Sequence, residues 1–390
     1  MSDTIAAIAT PVGEGGIGLI RISGGDALSI ASRLFRRSGK PRENGWVSQR
    51  VYYGEIVDPG SGECVDEVLL ACFRAPRSYT REDVAEITSH GGVFVTSRIL
   101  QLILDQGARP AEPGEFTRRA FLNGRIDLSQ AEAVADLIHA SSERALKSAL
   151  GQLQGRLSEK VNRLYDSLMA VLAQLEAAID FPEEGLQFQE KNKILDQVRG
   201  IQTELDDLIG SYRQGKIYRE GARVALAGKP NAGKSSLFNA LLHEDRAIVT
   251  PFPGTTRDML EEKIRIRDIH VNLVDSAGLR SDPDPVEQAG ISRTRSALAQ
   301  ADLALVLFDG SQPLDAGDET LIREVKDRPK LVLINKLDLP EKIDASRLAS
   351  EFPEAEPIRI SAKNHSGLQE LTDAVYRRVV GEKPLRDPVI

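Results

Sequence analysis

The chain has 390 residues, of which 41% are hydrophobic and 28% charged, and this composition is typical of a globular protein. Its formal net charge of −8 argues against a broadly basic surface for nucleic acid, although a local basic patch is compatible with it. The sequence contains no secretory signal, no apolar run long enough to span a bilayer and no cysteine motif beyond the isolated Cys64 and Cys72. These features predict a cytoplasmic protein of two or three domains, without membrane association, disulfides or zinc.

The N-terminal region mixes short strand-like runs with turns that contain Gly and Pro. Strands are predicted at 5–9, 18–22, 51–57 and 65–73, and a helix is predicted at 95–106. This mixture indicates an α+β domain. Residues 13–18 read GEGGIG and match a dinucleotide-binding pattern, but the strands predicted on both sides favour a hairpin.

From Leu128 onwards, apolar residues recur every three or four positions, as in amphipathic helices. A capping box is predicted at 129–132, where Ser129 and Glu132 would each accept a hydrogen bond from the other's backbone amide. The helical pattern covers 146–179 and resumes over 194–212. It predicts two long helices packed in a bundle, with a coiled coil of a motor or scaffold protein as the alternative.

From Arg223 to the end, apolar strands alternate with helical segments. The predicted strands are 224–227, 271–274, 303–308, 331–334 and 358–360. This alternation predicts a mostly parallel sheet with helices on its faces. Together, the three regions predict a multidomain α/β protein.

A phosphate-binding loop is predicted at 228–235, which read GKPNAGKS after a strand and before a helix. Its backbone N–H groups can bind phosphate oxygens, Lys234 supplies a positive charge for the β and γ phosphates, and the Ser235 hydroxyl can bind Mg²⁺. This motif alone predicts a nucleoside triphosphate.

The base is indicated by Asn335, Lys336 and Asp338, which directly follow a predicted strand. The Asp338 carboxylate can accept hydrogen bonds from both N1–H and the exocyclic amine of guanine, whereas adenine offers no matching pair of donors. Ser361, Ala362 and Lys363, after the last strand, resemble a second guanine-contacting segment. The predicted nucleotide is therefore GTP.

Further residues between these motifs are predicted at the Mg²⁺ ion and the γ-phosphate. Asp275 is expected in the Mg²⁺ shell, Gly278 near the γ-phosphate, and Thr256 on Mg²⁺ as a switch threonine. Leu279 stands where many GTPases have a glutamine that orients water, and its side chain cannot do so. The remaining polar candidates are Arg257, Arg280 and Glu287, and their spacing does not choose between them.

Besides the GTPase motifs of the third region, three distinctive strings lie at 4–24, 78–92 and 109–133, and the most specific is RPAEPGEFTRRAFLN at 109–123. With them, the sequence resembles the MnmE (TrmE) family of tRNA-modification GTPases across all three regions. The resemblance implies an N-terminal folate-binding and dimerisation domain at 1–120, a helical domain at 121–215 and a GTPase domain at 221–380. Residues 381–390 would begin the return to the helical domain.

The resemblance also implies site residues. A folate, 5-formyltetrahydrofolate or a related tetrahydrofolate, would be bound by Arg21, Glu86 and Arg125. K⁺ would be held by Asn231, Thr250, Phe252 and Thr255, and Glu287 would position water, with Lys234 and Thr256 as the other catalytic residues. The full GTP-binding set is Asn231, Ala232, Gly233, Lys234, Ser235, Ser236, Thr250, Thr255, Thr256, Asp275, Gly278, Asn335, Lys336, Asp338, Ser361, Ala362 and Lys363.

The implied reaction installs an aminomethyl-type group at carbon 5 of the wobble uridine in tRNA. The implied partners are a second copy of the chain, tRNA and the FAD-dependent protein MnmG. The alternatives are a ribosome-assembly GTPase of the Era or EngA type and a folate-binding or scaffold protein without enzymatic activity.

The family ends in further helices and a Cys-x-Gly-Lys tail, whereas this sequence stops at Ile390, so a fragment of a longer protein is expected. The two long helices would then lack part of their cover. Accordingly, a set of five residues on their apolar stripes is predicted to include exposed positions: Leu146, Leu153, Leu164, Ile201 and Leu208.

Overall fold

The computed structural model describes residues 3–37, 46–140, 142–180, 188–244, 261–275 and 298–381. The chain divides into two compact units, Met1–Ala135 and Asp136–Ile390, and each is described by itself. Within the described ranges, no helix is long and apolar enough to cross a bilayer.

The first unit is built on a seven-stranded sheet. Its strands are β1 (Ile5–Ile8), β2 (Ile17–Ser23), β3 (Phe35–Arg37), β4 (Arg50–Val57), β5 (Cys64–Phe73), β6 (Val84–His90) and β7 (Arg109–Pro110). The strand order is β3-β4-β5-β6-β2-β1-β7, and all neighbours are antiparallel except β1 and β7. Its helices are α1 (Ala27–Leu34), α2 (Val93–Asp105) and α3 (Glu115–Leu122).

The core of the first unit lies between the sheet and the helices α1 and α2. Ile20 and Ile87 on the sheet are buried in one cluster with Ile30 of α1 and Ile99 of α2. The α+β prediction, its four strands and its helix are confirmed. The GEGGIG segment lies between the antiparallel strands β1 and β2, as the hairpin interpretation expects. The sequence does not predict β6, because Glu86 and the polar residues after Ile87 interrupt its apolar pattern.

The next helix, α4 (Leu128–His139), begins earlier than predicted. Asp127 Oδ1 accepts a hydrogen bond from the Gln130 amide at 2.9 Å, and Gln130 Oε1 accepts one from the Asp127 amide at 3.0 Å. The predicted capping box at Ser129 and Glu132 is therefore wrong. The Asp127 carboxylate already caps this helix, and the Ser129 hydroxyl inside the first turn donates to it at 2.8 Å.

The helical part of the second unit consists of α5 (Glu143–Leu153), α6 (Arg156–Asp180) and α7 (Phe188–Glu220). The continuous helix predicted over 146–179 is wrong, because it is interrupted at Gly155, whose φ of +85° lies in the left-handed region. Helices α6 and α7 pack against each other, as predicted, around a small core of Leu164, Val171, Ile194 and Ile201.

The apolar stripes of these helices are incompletely covered. Leu164 and Ile201 are buried, whereas Leu146 is 47% exposed. The prediction that the set of five includes exposed positions is confirmed.

The remainder of the second unit is a six-stranded sheet with helices on both faces. Its strands are β8 (Ala222–Gly228), β9 (Glu261–Ile266), β10 (Ile269–Asp275), β11 (Leu303–Asp309), β12 (Lys330–Asn335) and β13 (Ile358–Arg359). The described helices are α8 (Lys234–Glu244), α9 (Ala316–Val325), α10 (Ala345–Glu351) and α11 (Leu368–Val380). The order is β13-β12-β11-β8-β10-β9, and only β9 runs antiparallel to its neighbour.

The mostly parallel sheet confirms the fold predicted for this region. Leu305 and Val306 of β11 point to opposite faces and belong to separate buried clusters, so both faces are covered. The carboxyl ends of β8, β10, β11 and β12 meet at one edge of the sheet, where parallel α/β sheets bind their ligands.

Candidate nucleotide and folate sites

The phosphate-binding loop connects β8 to α8 at this edge. Asn231 and Gly233 have φ of +66° and +98°, in the left-handed region that favours glycine. A Cβ atom on Gly233 would lie 2.1 Å from Asn335 Nδ2, so only glycine fits there. The Lys234 ammonium donates to the carbonyls of Gly228 and Lys229, both at 2.8 Å. These bonds hold its charge against the loop, where phosphate oxygens can bind it.

Asn335, at the end of β12, joins the phosphate-binding loop to the predicted guanine-contacting segment 361–363. Its Nδ2 donates to the Ala232 carbonyl at 2.9 Å, and its Oδ1 accepts from the Ala362 amide at 3.0 Å. Asn335 is only 2% exposed, so these two bonds satisfy a side chain that is costly to bury unpaired. Its role is to hold the phosphate-binding loop and residues 361–363 together.

Asp338 lies on the open side of this arrangement. The Ser361 hydroxyl donates to Asp338 Oδ1 at 2.7 Å, and this hydrogen bond lowers the pKa of the carboxyl group below its ordinary value. The carboxylate is therefore ionised at neutral pH and can accept hydrogen bonds from a guanine edge. Lys336, with φ of +70°, forms an ion pair with Asp309 at 2.6 Å.

The candidate Mg²⁺ ligands are only partly described. Ser235 is exposed at the start of α8, and its hydroxyl is a hard oxygen ligand that suits Mg²⁺. Asp275 ends β10, which pairs with β8 in parallel, but its side chain lies outside the described residues. Also outside them lie Thr250, Phe252, Thr255, Thr256, Gly278 and Glu287, and the alternatives Arg257 and Arg280.

An ion-pair cluster beside the phosphate-binding loop is not predicted from the sequence. Lys229 Nζ lies 2.7 Å from carboxylate oxygens of both Asp315 and Asp318. These two acids form the capping box of α9, in which each accepts a hydrogen bond from the other's amide. The spacing Asp-x-x-Asp before a helix is a readable capping signal, but its pairing with Lys229 follows only from the folded sheet.

The three predicted folate residues meet in the first unit. Arg21 on β2 and Glu86 on β6 are opposite each other in register and form an ion pair at 2.8 Å. The Arg21 guanidinium lies 5.1 Å from the centre of the Tyr79 ring, and that of Arg125 lies 4.8 Å from it. The Tyr79 ring, which the sequence does not single out, therefore makes cation–π interactions with two of the three predicted folate residues.

An open cavity of about 520 Å³ lies beside Tyr79 and is lined by Glu86 and Arg125. Phe73, Pro76 and Val84 form apolar parts of its wall, and arginines lie among its polar residues. An apolar wall with a carboxylate and cations suits a flat polar ring that carries an anionic tail, as a folate does.

Comparison with known proteins gives the family. Residues 4–125 match the family model described as the GTP-binding protein TrmE N-terminus, and residues 128–389 match that of the MnmE helical domain. The tRNA modification GTPase MnmE of Geobacter metallireducens is 48% identical over 97% of this chain and 82% of its own length. That of Lactiplantibacillus plantarum is 45% identical, with the same coverage.

This chain belongs to the tRNA modification GTPase MnmE family. As a member of the MnmE family it is a GTPase, and the ribosome-assembly alternative is set aside because the matches include the N-terminal and helical regions. A crystal structure of Aquifex aeolicus Era bound to GDP and AlF₄⁻ is 26% identical over 43% of this chain and 60% of that one, with a TM-score of 0.34.

Proposed function

We propose that this GTPase binds guanine through Asp338 and the phosphates through Lys234 and the loop that precedes it. The observation that carries the proposal is the pair of hydrogen bonds made by Asn335, which tie the phosphate-binding loop to residues 361–363. The two ends of the proposed nucleotide-binding surface are thus joined by protein contacts. The other GTP-binding residues predicted from the sequence complete this proposal.

The proposed metals are Mg²⁺, held by Ser235 and Thr256, and K⁺, held by Asn231, Thr250, Thr255 and the backbone of Phe252. Mg²⁺ would neutralise phosphate charge, and K⁺ would replace an arginine finger. Asn231 supports this role because its left-handed backbone leaves it exposed on the phosphate-binding loop. Glu287 is proposed to orient the attacking water, with Arg257 or Arg280 as the alternative.

Potassium dependence tests this part of the proposal. GTP hydrolysis by the whole chain is measured in KCl and in NaCl at equal ionic strength and saturating Mg²⁺. We expect clearly faster turnover in K⁺, with equal GTP affinity in both salts. Equal turnover in the two salts would contradict the K⁺ site and favour an arginine.

We further propose that the chain acts on the wobble uridine of tRNA together with the FAD-dependent partner MnmG, as a cytoplasmic homodimer. In this proposal residues 1–120 bind folate and dimerise, 121–215 form the helical domain, 221–380 form the GTPase domain and 381–390 begin the return to the helical domain. The folate would supply the one-carbon unit. Arg21, Glu86 and Arg125 would bind and orient it at the Tyr79 cavity.

Calorimetry with 5-formyltetrahydrofolate tests the folate site on the whole chain. We expect binding that Glu86→Gln weakens at least tenfold, because the substitution removes a charge paired with Arg21 at the cavity wall. Glu67→Gln, at an exposed position of the neighbouring strand β5, is the control and should bind as the parent chain does. Absence of any binding heat with a folded chain would contradict the site.

A further inference from the structure

Three arginines line the cavity beside Tyr79: Arg77, Arg81 and Arg125. Of the described residues that line it, only Glu86 is acidic, and its carboxylate is already paired with Arg21. Within the described part of the chain, no carboxylate lies within ion-pair distance of the three arginines. The cavity therefore carries three positive charges that no carboxylate of the described residues neutralises.

Two of the arginines, Arg81 and Arg125, are held in place by hydrogen bonds that leave most of their donors unused. Arg81 has a φ of +58°, an uncommon backbone conformation for this residue type, and donates one hydrogen bond to the Asn123 carbonyl at 3.0 Å. Arg125 donates one to the Tyr79 carbonyl at 3.0 Å. Because a guanidinium has five N–H donors, both keep groups for a ligand carboxylate.

The segment that carries Tyr79 and Arg81 is also fastened to the chain after α3. Asn123 Nδ2 donates to the Thr80 carbonyl at 2.7 Å, in addition to the bonds of Arg81 and Arg125. Both sides of the arginine group therefore belong to one hydrogen-bonded assembly. Because Arg81 and Arg125 are already held, they lose little freedom when they bind an anion.

The charge of the group suggests what it binds. A folate with a single glutamate carries two carboxylates, and each further γ-linked glutamate adds one more. Since the cavity presents three unneutralised cations, a folate with at least two glutamates matches it better than the monoglutamate does. An exposed ion pair adds little by itself, so the effect should be a modest increase for each carboxylate gained.

We propose that Arg77, Arg81 and Arg125 form a subsite for the polyglutamate tail of the folate. This proposal rests on the proposed folate function and names the form of folate that the chain selects. Arg77 gives the cleanest probe, because its guanidinium makes no ion pair or side-chain hydrogen bond with the described residues and its loss removes only charge.

The test is calorimetry on the whole chain with 5-formyltetrahydrofolate carrying one, three or five glutamates. We expect the triglutamate to bind about fivefold or more tightly than the monoglutamate, and the pentaglutamate to add less than twofold. Arg77→Gln should reduce this preference, and Arg77→Gln with Arg81→Gln should abolish it. Arg33→Gln, at an exposed arginine of α1 outside the cavity lining, should retain it.

Salt provides a second readout, since screening at 1 M ionic strength should remove most of the preference for the longer tail. If the monoglutamate binds and the triglutamate binds no more tightly, the tail subsite is wrong and the folate site stands. If no folate binds, both proposals fail. A preference that survives in the double variant would also overturn the subsite.

Discussion

The proposed guanine-binding region around Asp338 and the cavity beside Tyr79 are held together by different kinds of contact. In the second unit, the buried Asn335 side chain ties together two loops that follow different strands. In the first unit, the Arg21 and Arg125 guanidinium groups lie 5.1 and 4.8 Å from the centre of the Tyr79 ring, and most of the charged groups are accessible to solvent. The buried contacts around Asn335 suit the rigid ring of a nucleotide base. The open cavity beside Tyr79 suits a ligand with a flat ring and a charged tail.

This difference explains why local sequence motifs predict the nucleotide site but not the cavity beside Tyr79. The nucleotide residues form short motifs that follow strands of a parallel sheet, so their order along the chain predicts their meeting point. Arg21, Tyr79 and Arg125 belong to a strand, a loop and a segment after a helix, far apart in sequence. No local spacing brings them together, and only the family resemblance predicts a common site for Arg21 and Arg125.

The largest expected effect concerns catalysis, to which the proposed guanine-binding residues do not contribute directly. Glu287→Ala should slow GTP hydrolysis in K⁺ by about 10²–10⁴-fold, because Leu279 cannot orient water and a positioned acid contributes on that order. GTP affinity should change little, since the loss occurs in the transition state. Single-turnover hydrolysis and nucleotide titration measure the two quantities.

The control for this substitution is Glu262→Ala, at an exposed position on β9, which should hydrolyse GTP normally. Arg257→Ala and Arg280→Ala are compared in the same assay. Normal hydrolysis by Glu287→Ala together with a large loss in either arginine variant would assign the role to that arginine.

The second effect concerns the guanine end itself. Asp338→Asn replaces one accepting oxygen with a donor and should weaken GTP binding by about 10²-fold or more, because a charged hydrogen bond contributes about 1.5–3 kcal/mol. XTP, which presents an acceptor at the matching position, should bind better than GTP. Competition binding with both nucleotides measures the change in preference.

Glu341→Gln is the matched control, because Glu341 is an exposed acid three positions further along the chain. Its ion pair with Arg359 is exposed and long, at 3.5 Å. It should leave the preference for GTP unchanged. An Asp338→Asn chain that keeps full GTP affinity and ignores XTP would show that another residue reads the base.

The sequence motifs identify the proposed nucleotide-binding residues better than the hydrogen bonds and ion pairs that hold those residues in place. Ser361 and Asp338 each belong to a recognisable motif, but the hydrogen bond between them crosses two strand ends. The pairing of Lys229 with Asp315 likewise spans 86 positions. Such contacts depend on strand order, which periodicity alone does not determine.

Local errors have a different origin. Asp127 and Ser129 are both good capping residues two positions apart, and spacing alone does not decide which of them starts the helix. The structure decides for Asp127, whose carboxylate accepts from the Gln130 amide while its own amide donates to the Gln130 side chain. Gly155 similarly interrupts a pattern whose apolar period continues on both sides.

The third effect concerns a buried network of ion pairs in the first unit, which we expect to stabilise the fold that carries the exposed cavity. Glu115 is 1% exposed at its side chain and accepts hydrogen bonds from Arg109 and Arg119. Arg119 also donates to Glu82, which accepts from Ser23. Glu115→Gln should lower the free energy of unfolding by about 3 kcal/mol, because it removes the buried negative charge that pairs with both Arg109 and Arg119.

The lowered pKa of Glu115 determines how this loss of stability should depend on pH. Hydrogen bonds from Arg109 lower the pKa of Glu115 from its ordinary 4.5 to about 2. Its contribution is therefore complete above pH 4.5 and is lost as the pH falls towards 2. Denaturant unfolding of both chains should show a difference that narrows over this range, whereas Glu112→Gln, an exposed neighbour, should have little effect at any pH.

The smallest effect concerns an exposed pair on the same sheet, His90 and Asp66, whose Nδ1 and Oδ1 atoms lie 2.7 Å apart. The hydrogen bond to Asp66 raises the pKa of His90 above its ordinary 6.5. The pair should therefore stabilise the first unit below pH 6.5 and lose this effect as the pH rises through the pKa of folded His90. Asp66→Asn should return that pKa towards 6.5. An NMR titration of the His90 ring measures the shift, and an unshifted His90 would show that solvent screens the pair completely, unlike the buried bonds of Glu115 and Asn335.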